Sequence, residues 1–407
     1  MMTNELKRKL AIIFGFTFID LLGYSLILPL LPYIAERFNA GPAQVGLLLT
    51  ANALSQMIAG PVIGRLSDRW GRRPMLLISV TGTVIAFLLF AFAQSMAMLY
   101  VSRVVDGLLG GNTSLARAYI TDVTDEKTRS RGLGLIGAAF GLGFTIGPFT
   151  GGMLSQYGYM VPGLVAAGLS FLNLIAIFFW LPESLDRSRR REPLAGKTRA
   201  FDFQRLFDVL RMPCVGGLLL IGFWISLSFT LFEVNFVLVA KESLNLDVRT
   251  TSILLSLVGV LSILTQGVLV GWLTDRFREK HLLLAATIVL TAGLAAWGFA
   301  SNGIVLGLVM IPVSISAGLT NVVSTSLLTK ASREGEVGGI LGFTQTQQSF
   351  ARILAPLAGG PLIQYVGAPA VGLLGALLMG IAAATETRVF KANPDLDGPC
   401  GDKVKTG

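Results

Sequence analysis

The chain consists mainly of apolar segments that are each long enough to cross a lipid bilayer. A helix of about 20 mostly apolar residues spans the hydrocarbon core. Of the 407 residues, 53% are hydrophobic and only 14% are charged, whereas about a quarter of a soluble domain is charged. The sequence therefore predicts an all-α membrane protein with twelve transmembrane helices, near residues 11–33, 43–66, 74–94, 96–121, 131–155, 160–181, 212–239, 250–273, 281–300, 303–328, 338–362 and 368–387.

The positions of lysine and arginine predict the orientation of the chain, because cytoplasmic loops carry an excess of both. With a cytoplasmic N-terminus, the outer loops hold only Arg37, Lys241 and Arg249, and the other loop cations lie inside. We expect both termini in the cytoplasm and a multi-pass protein of a bacterial inner membrane. The net charge of +9 then reflects topology, and no nucleic-acid partner is expected.

One long charged segment, residues 182–211, separates six predicted spans from the other six. Apolar residues near its end are spaced as on one face of a helix: Phe203, Leu206, Phe207 and Leu210. This spacing favours a short amphipathic helix, either in the membrane interface or packed on the inner face of the bundle. The predicted domains are an N-terminal six-helix bundle (1–181), a cytoplasmic linker (182–211), a C-terminal six-helix bundle (212–387) and a cytoplasmic tail (388–407).

The two halves of the chain repeat parts of their sequence. Asp68-Arg69 matches Asp275-Arg276 at an offset of 275 − 68 = 207 residues. Pro148 and the glycines after it match Pro356 and its glycines at an offset of 356 − 148 = 208 residues. Two separate matches at nearly the same offset predict two pseudo-symmetric bundles.

The loop between the second and third predicted spans places one acid among arginines. Its motif comprises Gly64, Asp68, Arg69, Gly71, Arg72 and Arg73. We expect the helix to end at Gly64, and Asp68 either to pair with an arginine or to cap a neighbouring helix. Such a cluster would latch one conformation and release another. Asp122, Asp275 and Arg276 are assigned to the same predicted latch.

The fifth predicted span contains small residues on one face. Gly143, Gly147 and Gly151 lie four residues apart, so a partner helix can approach closely. Pro148 and Gly152 complete this predicted helix-packing motif.

Ionisable residues within predicted spans are costly in a membrane and therefore indicate function. They are Asp20, Arg103, Asp106, Glu233 and Arg352, and spans 3, 6, 9 and 12 hold none in their interiors. Arg103 and Asp106 are three residues apart and can touch on one helix face. This pair is either structural and self-neutralising, or a site in which Arg103 tunes an acid that takes and releases a proton. Asp20 is the first choice for the proton carrier, followed by Glu233 and then Asp106.

Uncharged polar residues are predicted to line a substrate route, although each also suits a hydrogen bond between helices. They are Asn52, Gln56, Asn321, Gln345 and Gln348. Arg352 is predicted to hold an anionic substrate group or a counter-acid. Phe232 belongs to an aromatic set in span 7 that suits an aromatic substrate, and packing against lipid explains that set equally well.

Several motifs resemble the major facilitator superfamily. Gly64 to Arg73 is similar to its Gly-x-x-x-Asp-Arg-x-Gly-Arg-Arg loop, and Gly147 to Gly152 is similar to the fifth span of its drug:proton antiporters. Residues 118–122 resemble a loop of tetracycline antiporters. The resemblance implies two bundles that alternate access to a central cavity lined by spans 1, 4, 7 and 10. The second half lacks the Gly-Arg-Arg, and span 9 lacks the acid of tetracycline exporters, which argues against tetracycline as the substrate.

The sequence thus predicts a monomeric secondary transporter that exports a small amphipathic compound or drug in exchange for protons. The alternatives are a uniporter or symporter for a sugar, organic acid or lipid, and a transporter-like receptor that moves nothing. No enzyme is expected, because no set of catalytic groups shares a membrane depth. No cofactor or metal is expected either, since there is no nucleotide-binding loop and His281 is the only histidine.

Overall fold

The computed structural model describes residues 4–185, 214–332 and 337–393 of the chain. Within these ranges the regular structure is helical, without strands, and the predicted fold class is confirmed. The helices are α1 Asn4–Ile27, α2 Leu31–Glu36, α3 Pro42–Trp70, α4 Arg72–Ala91, α5 Met96–Leu109, α6 Asn112–Val123, α7 Glu126–Leu154, α8 Met160–Trp180, α9 Val215–Leu244, α10 Val248–Leu264, α11 Val270–Thr274, α12 Glu279–Gly298, α13 Gly303–Ala331, α14 Val337–Tyr365 and α15 Ala368–Ala392. The amphipathic helix predicted at residues 203–210 lies outside the described residues.

Ten helical segments in the described part of the chain are long and apolar enough to cross a membrane. The predicted span at 96–121 is divided into α5 and α6, which have 14 and 12 residues. The span predicted at 338–362 corresponds to α14, whose 29 residues include three glutamines and Arg352. These two segments are therefore not among the ten, and the break in the first lies at Gly110 and Gly111.

The prediction that the second span ends at Gly64 was wrong. Helix α3 continues to Trp70, and Gly71 separates it from α4 with φ 109° and ψ 156°. A side chain at this φ is strained, so glycine is required at the turn. The backbone N–H of Gly71 donates to Ser67 O at 3.0 Å, and the charged motif therefore lies on the last turn of α3 and the first turn of α4.

Large apolar side chains project from the helices without protein contacts to cover them. Phe179 is 69% exposed, Ile304 78% and Leu308 62%. A water-soluble protein rarely exposes so much contiguous apolar surface. These helices are therefore suited to a lipid environment.

The described residues fall into two compact units. The first unit comprises 4–185 together with 247–259, and the second comprises 214–246, 260–332 and 337–393. The first unit thus includes the beginning of α10, in addition to the predicted N-terminal bundle.

Helix α7 approaches α1 closely in the first unit through its glycine face. A Cβ at Gly143 would lie 3.0 Å from Leu21 Cβ, and one at Gly147 would overlap the Ser25 hydroxyl. The Ser25 hydroxyl donates to Gly143 O at 2.8 Å, so the close approach also satisfies a buried polar group. Gly151 meets α1 in the same way, at the backbone of Leu26. The adjacent Gly152 faces the side chain of Ser252 on α10, and Pro148 lies within α7.

The equivalent seam in the second unit joins α9 and α14. Ala351 and Ala355 are buried there, and a Cβ at Gly359 would overlap the side chain of Asn235. Asn235 Nδ2 donates to Leu231 O at 2.8 Å and lies 3.5 Å from Ala355 O. The second seam therefore uses two alanines where the first uses glycines.

Candidate functional site

The break between α5 and α6 places backbone and side-chain polar groups inside the first unit. Gly110 N–H donates to Asp106 O at 2.6 Å and ends α5. Helix α6 then begins at Asn112, and a Cβ at Gly111 would lie 2.9 Å from Ile63 Cδ1. Small residues at the break therefore let α6 restart beside α3 and bring Asn112 into the interior.

Asp20 of α1 receives a hydrogen bond from Asn112 at this break. The distance from Asn112 Nδ2 to Asp20 Oδ1 is 2.5 Å, and the same nitrogen lies 3.1 Å from the hydroxyl of Thr83 on α4. Within the described part of the chain no lysine or arginine forms an ion pair with Asp20. Its carboxyl group is therefore held by a neutral partner.

Asp106 of α5 has a different environment from Asp20. Its Oδ2 accepts from Asn52 Nδ2 at 3.1 Å and lies 3.5 Å from the Arg103 guanidinium. Arg103 is 2% exposed and donates to the hydroxyl of Ser102 at 3.1 Å. We call Asp20, Asn52, Thr83, Arg103, Asp106 and Asn112 the polar cluster.

Helix packing explains why the polar cluster is shielded from lipid. Arg103 lies 5.5 Å from the ring centroid of Phe90 and 5.9 Å from that of Phe87. Gly107 allows α5 to approach α3 closely, because a Cβ there would lie 2.6 Å from Ser55 Cβ. Asn52 was predicted to line the substrate route, but it is 8% exposed and bridges α3 to α5. Gln56, one turn further along α3, is exposed.

The predicted site residues of the second unit do not form an equivalent cluster. Glu233 on α9 is partly buried. Arg352 is exposed, as is Gln345, which donates to Gln348 Oε1 at 3.0 Å. Asn321 is exposed on α13. These side chains offer an accessible polar surface that contains one cation.

Phe232 does not belong to that accessible surface, contrary to the prediction. It is 2% exposed and packs edge to face on Trp297 of α12, with ring centroids 5.1 Å apart. Aromatic pairs of this geometry stabilise helix packing. Phe232 is therefore part of the interior of the second unit.

The predicted latch of the first unit centres on Arg72. Its guanidinium group lies 2.6 Å from Asp68 Oδ1 and 2.9 Å from Asp122 Oδ2, and it donates to Ser67 Oγ at 2.5 Å. The backbone N–H groups of Arg72 and Arg73 donate to the carboxylate of Glu183 at 2.8 and 3.3 Å. One arginine thus joins the end of α3, the start of α4 and the end of α6.

The other residues of the loop motif have separate positions. Arg69 is exposed, and Gly64 lies within α3 with no atom near enough to contact an added Cβ. The Arg73 side chain donates to Phe178 O and lies 5.9 Å from the Phe178 ring centroid. The side chain of Arg73 therefore ties the start of α4 to α8, while its backbone N–H contacts Glu183.

Asp275 and Arg276, which were assigned to the predicted latch, form no ion pair among the described residues of the second unit. Asp275 and Arg276 are exposed, and Arg276 stacks over the Trp272 ring at 4.0 Å. The ion pairs described there join Lys241 to its neighbour Glu242 at 2.8 Å and Glu279 to Lys330 at 3.0 Å. Asp275 and Arg276 repeat the sequence of the first-unit motif but not its geometry.

Sequence reasoning missed several residues that the structure brings to these sites. Asn112 follows Gly111 and Glu183 follows Pro182. A polar residue directly after a glycine or proline that interrupts a helix was the available signal, and a hydropathy profile does not detect it. Glu386 contradicts the prediction that span 12 has no ionisable residue in its interior, because α15 runs to Ala392 and Glu386 is 0% exposed. The Glu279–Lys330 pair was detectable at the repeat offset from Arg72 and Asp122.

Long apolar helices around a polar cluster, of which all members but Asp20 are buried, indicate a polytopic membrane protein. The model of the Major Facilitator Superfamily matches residues 13–356 and 218–399. The chain belongs to this superfamily, whose members are multi-pass membrane transporters of small molecules rather than enzymes in general.

Curated relatives and a solved structure support this assignment. The class C tetracycline resistance protein of Escherichia coli is 32% identical over 355 residues, which cover 86% of this chain and 88% of that protein. Human solute carrier family 67 member A1 is 31% identical over 353 residues, covering 84% and 83%. The crystal structure of the human organic anion transporter MFSD10 has a TM-score of 0.70 at 24% identity, covering 94% of this chain and all of that one. The resemblance to drug exporters is confirmed, and so is the fold.

Proposed function

We propose that this chain exports a small amphipathic compound in exchange for protons, by alternating access of its two six-helix bundles. We further propose that it acts as a monomer in a bacterial inner membrane, with both termini and the segment 182–211 in the cytoplasm. The relatives include tetracycline resistance proteins, which supports a drug-like substrate.

The observation that carries the proposal is the charge of the polar cluster. Asp20 and Asp106 contribute two negative charges when ionised, and Arg103 contributes one positive charge. With all three groups ionised the cluster has one uncompensated negative charge, which is costly inside a membrane protein. Binding one proton makes the cluster neutral. Among the described residues, Arg103 forms an ion pair with Asp106 and not with Asp20. We therefore assign the proton to Asp20.

Asn112 suits both protonation states of Asp20. An amide group has a donor and an acceptor, so it can donate to a carboxylate or accept from a carboxylic acid after a flip. Its nitrogen faces Asp20, and its Oδ1 is buried without a hydrogen-bond partner. Asn112 thus allows Asp20 to gain or lose a proton with a flip of the Asn112 amide group.

Arg352 favours an organic anion as a second candidate substrate. Its side chain is exposed, and a carboxylate or phosphate group on a substrate would pair with this cation. Under this proposal Gln345 and Gln348 contact the polar part of the substrate.

Flux measurements in proteoliposomes test the proposed function. The probes are tetracycline, the aromatic cation ethidium and the organic anion fluorescein, each with and without an imposed proton gradient, and protein-free liposomes are the control. We expect the gradient to drive at least one probe against the direction of proton flow. Flux that ignores the gradient would indicate a uniporter, co-directional flux a symporter, and binding without flux a receptor; each of these results would overturn the proposal.

A further inference from the structure

A second carboxyl group is buried in the second unit, away from Glu233 and Arg352. Glu386 on α15 is 0% exposed and lies six residues before the end of the helix at Ala392, about 9 Å along the helix axis. Its Oε1 lies 2.8 Å from the hydroxyl of Thr287 on α12. Its Oε2 is buried and has no hydrogen-bond partner.

The hydrogen atoms available around Glu386 are too few for a carboxylate. The Thr287 hydroxyl has one hydrogen, and its oxygen also lies 2.9 Å from Leu283 O. If that hydrogen goes to Leu283 O, only a proton on Glu386 can complete the bond between the two side chains. If it goes to Glu386 instead, Oε2 still receives no hydrogen bond.

In the described part of the chain, no lysine or arginine forms an ion pair with Glu386. Helix α14 also packs on α15, and its one charged residue, Arg352, is exposed. Residues 282–298 of α12 and 215–230 of α9 contain no ionisable side chain. The charged residues at the start of α12, Glu279, Lys280 and His281, precede Thr287 by six positions or more. On α15 itself, Arg388 and Lys391 are exposed. An ionised Glu386 would therefore be a buried, uncompensated charge.

We propose that Glu386 is a second proton-binding site, separate from the polar cluster, and that its proton is exchanged when the contact with Thr287 opens during transport. Its ligand is a proton, because the site offers one carboxyl and one hydroxyl group and too few oxygens for a metal ion. The role in transport rests on the proposed function, whereas the protonation state of Glu386 does not. Two measurements separate these parts.

Infrared spectroscopy of the purified protein tests the protonation state. A carboxylic acid and a carboxylate have distinct C=O stretching bands, and Glu386→Gln removes one carboxyl group at nearly constant volume. We expect the wild type at neutral pH to show a carboxylic-acid band that is lost in Glu386→Gln and kept in Glu279→Gln, the matched control for an acid with a cationic partner. Thr287→Val should shift this band, because it removes the one hydrogen-bonding partner that Glu386 has among the described residues. If the Glu386→Gln spectrum differs from that of the wild type only in carboxylate bands, the site does not hold a proton and the proposal is overturned.

Proton stoichiometry tests the role in transport. With the probe that shows gradient-driven flux, the number of protons moved per probe molecule should fall by one in Glu386→Gln and stay unchanged in Glu279→Gln. An unchanged ratio in Glu386→Gln would make Glu386 a static structural acid and overturn the exchange. If the wild type shows no proton-coupled flux with any probe, the proposed function and this exchange both fail, and the infrared result alone decides whether Glu386 holds a proton.

Discussion

In the first unit an arginine begins α4 and an aspartate lies near the end of α6, whereas in the second unit a glutamate begins α12 and a lysine lies near the end of α13. The positions are equivalent in the repeat, since 279 − 72 = 207 and 330 − 122 = 208. Both pairs close at similar distances, 2.9 Å for Arg72–Asp122 and 3.0 Å for Glu279–Lys330. The two repeats therefore keep the ion pair and reverse its polarity.

The helix dipole explains why the two pairs have different surroundings. The start of a helix carries a partial positive charge, which stabilises an acid and disfavours a base. Glu279 is in the first turn of α12 and needs only Lys330 and the Ser326 hydroxyl. Arg72 is in the first turn of α4 and contacts Asp68 and Asp122 with its side chain.

The shapes of the two cations add to this difference. A guanidinium group presents several donors in a fixed plane, whereas an ammonium group is a mobile point charge. Arg72 is buried and joins three helices, whereas the Lys330 side chain is 47% exposed and joins two. We infer that the first-unit pair is the conformational latch and that the second-unit pair is a weaker counterpart.

Gly147→Leu should have the largest effect, because it tests the close contact between α7 and α1. Ser25 and the backbone of α1 occupy the space that a side chain at Gly147 would need, so we expect misfolding or a transporter fixed in one state. The control is Ala355→Gly at the equivalent position of the second seam, which should cost about 1 kcal/mol in stability. Thermal unfolding in detergent and probe flux measure both. A stable, active Gly147→Leu protein would show that α7 does not need this close contact.

Arg72→Ala should have the next largest effect. It removes one cation from two acids, and breaking a mostly buried ion pair costs about 3 kcal/mol. We expect a lower unfolding temperature and loss of probe flux. The control is Arg69→Ala, three residues away and exposed, which should retain both. If the two variants behave alike, the contacts of Arg72 contribute nothing beyond its charge in the loop.

Asp68→Asn should impair transport more than stability. The Asp68 side chain is 44% exposed, and an exposed ion pair contributes about 1 kcal/mol or less. The substitution keeps the size of the side chain and removes the charge that holds Arg72, so we expect normal insertion with strongly reduced flux. The same substitution at Asp275, which forms no ion pair among the described residues, is the control. Normal flux in Asp68→Asn would remove this residue from the latch.

Lys330→Ala should have the smallest effect. Its exposed pair with Glu279 contributes less than about 1 kcal/mol, and we expect flux close to that of the wild type. The double exchange of Glu279→Lys with Lys330→Glu should be less stable than Lys330→Ala, because it places a cation at the start of α12. If Lys330→Ala abolishes flux as completely as Arg72→Ala, the two pairs are equivalent and the proposed difference is wrong.

Hydropathy and internal repetition were sufficient to predict the fold class. The length of an apolar segment indicates whether it can span the membrane, and the constant offset between repeated motifs indicates two similar halves. Neither reports local backbone geometry, so the break at Gly110 and the continuation of α3 past Gly64 were missed. Helix ends depend on the conformation of single residues such as Gly71, which hydropathy does not describe.

The charged residues of the site could be predicted from the sequence, but the residues that contact them could not. Asp20, Arg103 and Asp106 were identified because charge within an apolar span is costly wherever the side chain points. Asn112 was not, because a neutral amide becomes notable only when it faces a carboxyl group. Phe232 was assigned to the substrate route for a related reason, because the sequence alone does not show that Trp297 packs against it. Contacts between distant segments decide these cases.

The central claim is that Asp20 carries the coupling proton, and proton-driven flux in proteoliposomes tests it directly. Asp20→Asn mimics a permanently protonated Asp20 at nearly the same volume, so it cannot release a proton to complete a coupled cycle. We predict that this variant binds the probe and exchanges probe for probe but no longer concentrates it when a proton gradient is imposed. Gln56→Ala, an exposed change on α3, should still concentrate the probe. Gradient-driven accumulation by Asp20→Asn would contradict the account and transfer the coupling proton to Glu233, Asp106 or Glu386.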